Sequence, residues 1–196
     1  MIKSLARKAT LFLLDNKSIK LNQYELYLYG FETLIALIIN ILVILLVSII
    51  LSKFIETVLF LLVYCTIRQF TGGYHAENHF KCLLVFLLVY IINIIILKYV
   101  YYNNLEWTII LLMFMSCIGI FKIAPMEHRE KTLSSIDVAS YKKIVRILVS
   151  FSFGTILFLF LHNIYNQYIL YPASAIVCIY IMLILGITKE KKLQIV

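Results

Sequence analysis

The chain has 196 residues, 63% of them hydrophobic and only 14% charged, with a formal net charge of +8. A soluble domain carries roughly 25% charged residues, so a water-covered globule is excluded; two Pro and six Gly leave no room for a long linker. The basic excess sits at the ends of apolar runs, without aromatic-interleaved basic patches, so nucleic acid is excluded as the partner and membrane lipid is expected.

Residues 1–20 place Lys3, Arg7, Lys8, Lys17 and Lys20 among Ile2, Leu5, Ala9 and Leu13. The apolar set recurs every three or four residues, which predicts a basic amphipathic helix lying on the membrane surface. The competing reading is a basic tail that only orients the first span. No cleavable signal-peptide pattern is present, so the first span is expected to be its own insertion signal.

Six apolar runs follow, over residues 33–52, 54–69, 83–101, 105–121, 144–161 and 168–187. A span needs about 20 residues. The second run is short, with Lys53 and Glu56 at one end, so a thinned bilayer or partial insertion is expected there. Strands are excluded, because open edges cannot be satisfied in lipid and alternation is missing. The expected fold is therefore all-α and polytopic, a single membrane domain over 1–196 with about six transmembrane helices, or four plus two partly inserted ones. Pro172 is expected to begin or kink the last span.

Charge alternates between the connections. Residues 1–20 hold five Lys/Arg against one acid, segment 68–82 holds Arg68 and Lys81 against Glu77, and segment 122–146 holds six Lys/Arg against three acids. The intervening connections are neutral. The positive-inside rule then puts both termini and the 68–82 and 122–146 segments in the cytoplasm. Mid-span positions carry mainly Asn40, Asn93, Ser116 and Cys117, not the ionisable residues that a carrier of ions or metabolites would need.

The chemistry concentrates in residues 65–84, CTIRQFTGGYHAENHFKCLL. A thiol becomes a nucleophile as its thiolate, which a nearby base, a cation or a helix N-terminus favours. Cys82, at the start of the third span, is the candidate nucleophile, with His75 and His79 competing as base. On one helix His79 and Cys82 are i,i+3 neighbours, roughly 5–6 Å apart at Cβ. His75 would lie about 10 Å away along the axis. Spacing thus favours His79, and admits His75 only if the chain folds back, which Gly72-Gly73 permits. Asn78 is a candidate cap for a helix starting just after it. Cys65, Cys117 and Cys178 read as small hydrophobic packing residues. With no CxxC and three candidate ligands at most, neither a metal nor another cofactor is expected.

Arg68, Gly73, His75, Ala76 and Cys82, with seven residues from Arg to His and seven from His to Cys, resemble the signature of the AgrB family, the accessory gene regulator B membrane endopeptidases of Gram-positive quorum sensing. The segment from Ala124-Pro125 to Leu133 resembles the family's second signature, departing from it at Glu130 and Thr132. The resemblance implies a thiol protease that removes the C-terminal part of an autoinducer propeptide and promotes closure of a thiolactone or lactone ring. It implies Cys82 as nucleophile and His75 as base, against the spacing preference, and leaves His79 as a loop or interface residue. It also suggests a homodimer.

Arg68, Gln69 and Gly73 are then candidates for holding the oxyanion or the substrate, and Lys122, Arg129 and Lys131 for holding an acidic propeptide. Each cation has the plainer reading of a topology anchor. Glu32, seven residues from Glu25 and so on the same helix face, is expected in a structural ion pair; Pro125 is expected to be structural. His128 is expected in solvent and His162 at the outer interface. The alternative function is a non-enzymatic exporter or scaffold for a small signalling peptide, which would need no thiolate at Cys82.

Overall fold

The computed structural model describes residues 2–73, 79–126, 135–164 and 166–195. Among them lie seven α-helices and no strand. They are α1 (Ile2–Asp15), α2 (Tyr24–Ile50), α3 (Phe54–Thr71), α4 (His79–Tyr102), α5 (Glu106–Ile123), α6 (Ser135–Leu161) and α7 (Asn166–Ile195). Six of them, α2 to α7, are long and apolar enough to cross a membrane. The residues group into two compact units, Met1–Val47 and Ser48–Val196.

In the first unit, α1 is the amphipathic helix that the spacing of its apolar residues predicts. Ala6 and Thr10, one turn apart, are fully buried, and the Thr10 hydroxyl donates to the Ala6 carbonyl at 2.9 Å. Lys3, Arg7 and Lys8 are exposed. Just past the end of the helix, Lys17 turns the chain with a φ of 54°. α2 begins well before the apolar run at residue 33, and carries both Glu25 and Glu32. Its 27 residues reach about 40 Å at 1.5 Å per residue, more than a hydrocarbon core of about 30 Å.

In the second unit, α7 is the central helix. Its apolar window is 67% buried, against 22% in α4 and in α6. Ala173, Ala175, Ile176, Ile179 and Leu183 are completely buried. α3, α5, α6 and α4 all pack on it. Small residues let the backbones approach: a Cβ built on Gly119 of α5 would run into the ring of Tyr180 on α7. One buried polar pair joins α4 to α7, where the Asn93 amide donates to the Ser174 hydroxyl at 3.0 Å and Ser174 donates to the Tyr171 carbonyl at 2.8 Å. Pro172 lies inside α7, which continues through it. The outward surface is apolar, with Leu62, Leu88, Ile95, Leu111, Met115 and Phe151 all more than half exposed, as lipid requires.

The short second run is a complete helix. α3 and α5 each have 18 residues, about 27 Å of rise, just short of a typical hydrocarbon core. Glu56 is buried in the first turn of α3, where an isolated carboxylate is costly. The Lys53 ammonium donates to it at 2.8 Å, and this hydrogen bond holds the Lys53 ammonium above its usual range.

The two ends of the bundle are built differently. After α2, α4 and α6 the chain turns through one residue of positive φ, at Ser52, Asn104 and Asn163. Each turn has the same pair of backbone bonds, as in Asn104 N–H to the Tyr101 carbonyl and Leu105 N–H to the Val100 carbonyl. This is the Schellman closure, which satisfies carbonyls at the helix end. α3 and α5 end instead in Gly72-Gly73 and Ala124-Pro125-Met126, which lead into the two polar segments.

Candidate functional site

α3 and α4 are joined by a ladder of aromatic side chains. The Thr57 and Tyr90 hydroxyls share a hydrogen bond. Phe60 stands against Tyr90 at 6.0 Å between ring centroids, and Tyr64 stacks on Phe86 at 4.9 Å. Phe60 and Tyr64 also stack on each other along α3 at 5.4 Å. From one aromatic rung to the next, the pair moves four residues forward on α3 and four back on α4. That is the step between residues on one face of antiparallel helices. One further step of the same spacing along each helix comes to Arg68 on α3 and to Cys82 on α4.

Cys82 is half-buried in the first turn of α4, on the face that carries the buried Phe86 and Tyr90. The amide end of a helix favours negative charge. Arg68 lies in the last turn of α3, where a cation complements the carbonyl end. Its buried Nη1 lies so close to Gly73 that a Cβ there would collide with it.

Gly72 and Gly73 have φ of 69° and 126°, conformations that other residues rarely take. The Gly72 amide caps α3 on the Arg68 carbonyl at 3.3 Å. A Cβ on Gly72 would meet the Met126 carbonyl oxygen at 2.5 Å. The reason is a backbone bond, Met126 N–H to the Thr71 carbonyl at 2.9 Å. It ties the Ala124-Pro125-Met126 segment to the end of α3, so the two polar segments meet at one end of the bundle. Ala124 is buried and Pro125 half-buried between it and Met126.

Arg68, Gly73, Cys82 and Pro125 therefore stand at the same end of the second unit. Gln69 is exposed and donates to the Thr66 carbonyl at 3.3 Å, along its own helix. Lys122 is exposed in the last turn of α5. Glu32 is half-buried on α2, in the first unit. His75, Arg129 and Lys131 lie outside the described residues, as do Asn78 and His128. His79 opens α4, three residues before Cys82. Cys117 and Cys178 are buried and Cys65 is half-buried, and His162 is exposed beside the ring of Phe158. Lys142, Lys143 and Arg146 belong to α6, not to a loop, because the helix starts at Ser135. Among the described residues no group of three His, Cys, Asp or Glu could hold a metal. His75 and His79 are four apart in sequence, and His75 lies outside the described residues.

The sequence reading missed Tyr64, Phe86, Thr71 and Met126. The first two had a signal: Phe60/Tyr64 and Phe86/Tyr90 are i,i+4 aromatic pairs, one turn from Arg68 and one turn from Cys82 respectively. The Thr71–Met126 bond had none, because it joins backbone to backbone.

These features define a multi-pass helical membrane protein whose two polar segments are bonded together at one end of its bundle. The profile of the family described as accessory gene regulator B matches residues 6–189, and the chain belongs to that family. It is 29% identical over 135 residues to AgrB-like protein 1 of Clostridium perfringens, covering 68% of either chain. No solved structure matches it. Membership supports a role in processing the autoinducing peptide of a quorum-sensing system.

Proposed function

We propose that the chain is a membrane cysteine endopeptidase that cuts an autoinducer propeptide and passes its N-terminal part to a thiolactone or lactone. The observation that carries this reading is that Cys82 in the first turn of α4, Arg68 in the last turn of α3 and the Gly72-Gly73 turn stand at one end of the bundle.

In this reading the Cys82 thiolate adds to the scissile carbonyl, and the oxyanion gathers beside Arg68, a planar donor suited to it. His75 takes the thiol proton and gives it to the departing amine. The C–N bond breaks, the C-terminal fragment leaves, and a thioester remains on Cys82. A thiol or hydroxyl within the bound peptide then attacks the thioester, closing the ring and returning Cys82 as the thiol. Ring closure loses conformational freedom, and holding the peptide in a reactive geometry offsets that loss. Lys122, Arg129 and Lys131 supply cations for an acidic propeptide, while Gln69 serves the membrane boundary.

The alternation of basic segments favours a cytoplasmic position for both termini and for this end of the bundle. A homodimer in the cell membrane is the assembly proposed, and the chemistry as written needs no cofactor. Mass spectrometry of a co-expressed propeptide tests the reading. Wild type should yield the cyclic peptide and the freed C-terminal fragment, and Cys82→Ala neither. Cleavage that survives Cys82→Ala would support the scaffold or exporter instead.

A further inference from the structure

The turns at Ser52, Asn104 and Asn163 share one backbone closure, but they do not stand at one level. Two side-chain hydrogen bonds fix the levels. Thr57 of α3 pairs with Tyr90 of α4. From there α3 has only three residues left to its start at Phe54, about 5 Å, whereas α4 runs on to Tyr102, about 18 Å. The contact of Phe60 with Tyr90 gives a smaller difference, about 9 Å. Asn93 of α4 pairs with Ser174 of α7. α4 ends nine residues past Asn93 and α7 starts eight residues before Ser174, so the turns at Asn104 and Asn163 stand level. The turn at Ser52 is sunk below both by about 10 Å.

The chemistry of the turns follows their levels. Tyr99, Tyr102 and Trp107, around Asn104, are exposed, as aromatic residues are at the headgroup layer. Residues 48–57 contain no Tyr or Trp. Their exposed side chains include Ile49, Ile50, Leu51, Phe54 and Ile55. Their two charges, Lys53 and Glu56, are joined at 2.8 Å. The turn is also closed on itself: the Ser52 and Lys53 amides donate to the Ile49 and Ser48 carbonyls, and the Lys53 carbonyl accepts from the Thr57 amide. The Glu56 carboxylate lies in the first turn of α3, where negative charge complements the helix amides.

We propose that the α2–α3 turn is a lipid-binding surface sunk in the membrane: phospholipid acyl chains of the leaflet on that side close over Ile49, Ile50, Leu51, Phe54 and Ile55. The interfacial layer is about 5–8 Å deep on each side of the hydrocarbon core, so a turn about 10 Å below the aromatic level lies within hydrocarbon. A lone charge there is costly; Lys53 and Glu56 enter as a neutral pair. α3 is then short because it crosses part way, not because the bilayer is thinned around the whole bundle.

Two measurements test the depth. In a protein with Cys65, Cys82, Cys117 and Cys178 replaced by Ala, single cysteines are placed by Ser52→Cys, Asn103→Cys and His162→Cys, all at exposed positions. A water-soluble maleimide is added to opened membranes, so that both faces are reached and the result is independent of sidedness. The reacting species is the thiolate, which hydrocarbon suppresses, so Ser52→Cys should label at least about tenfold more slowly than the other two. All three should label alike after SDS. Ser52→Cys labelling as fast as Asn103→Cys in the membrane would overturn the proposal.

The second uses the single tryptophan, Trp107. The protein is reconstituted in phosphatidylcholine brominated either close to the headgroup or near the middle of the acyl chain. Trp107 should be quenched more by the shallow bromines. A Trp107→Phe protein carrying Phe54→Trp should be quenched more by the deep ones. Shallow quenching of Phe54→Trp, equal to that of Trp107, would place the turn at the headgroups and overturn the proposal.

Discussion

The Met126 amide donates to the Thr71 carbonyl across 2.9 Å. One backbone bond thus joins the end of α3, which carries Arg68 and the paired glycines, to the segment that leaves α5. The bond brings the Met126 carbonyl so close to Gly72 that only a residue without Cβ fits; at Gly73 the constraint is the backbone, with φ at 126°, while a Cβ would meet the far end of the Arg68 side chain.

The first prediction concerns that turn. Gly72→Ala and Gly73→Val should each lower propeptide cleavage at least tenfold while membrane accumulation stays within about twofold of wild type. The left-handed conformation alone costs a side-chain-bearing residue about 1–2 kcal/mol, and the collisions add to it. Immunoblots of membranes set beside peptide mass spectrometry check this; full activity in either variant would mean that the turn has no special requirement.

The apolar runs were readable because a stretch of about 20 apolar residues has few other fates. The helix ends were not. α2, α6 and α7 extend beyond their runs through Glu25, Lys142, Lys143 and Lys189, since Lys and Glu interrupt hydropathy but favour helix. The site was half readable. Cys82 and Gly72-Gly73 stood out by residue type, and Arg68 by its place in the motif. The register that pairs α3 with α4 lies in aromatic residues that look like ordinary core, and the Thr71–Met126 bond is independent of side chains.

Sidedness gives the second prediction. In a variant that keeps Cys82 alone, an impermeant thiol reagent added to intact cells should leave Cys82 unlabelled, and should label it once the membrane is opened. Rapid labelling in sealed cells would reverse the topology inferred from the basic segments.

The choice of base gives the third. His75→Ala should abolish cleavage in a protein that still inserts, and His79→Ala should retain clear activity. The family motif motivates this order, although α4 places His79 in the same first turn as Cys82. A dead His79→Ala beside an active His75→Ala would transfer the role to His79.

The fourth concerns the contact of α5 with α7. Gly119→Val should drive a side chain into Tyr180 and destabilise the bundle by about 1–3 kcal/mol, as overpacking does. Adding Tyr180→Leu should restore part of the loss. Thermal unfolding in detergent reads both; a Gly119→Val protein as stable as wild type would mean the helices can move apart without cost.

The central claim is a thioester on Cys82. It is tested most directly by incubating the protein with a propeptide whose ring-forming residue is replaced by Ala, and looking for a covalent adduct by intact-protein mass spectrometry. The account predicts an adduct of Cys82 with the N-terminal part of the propeptide, lost on treatment with hydroxylamine and missing as a thioester in Cys82→Ser. Linear product from wild type with no adduct trapped from the ring-dead propeptide would contradict it, and would leave a plain hydrolase that does not hand its acyl group to a ring.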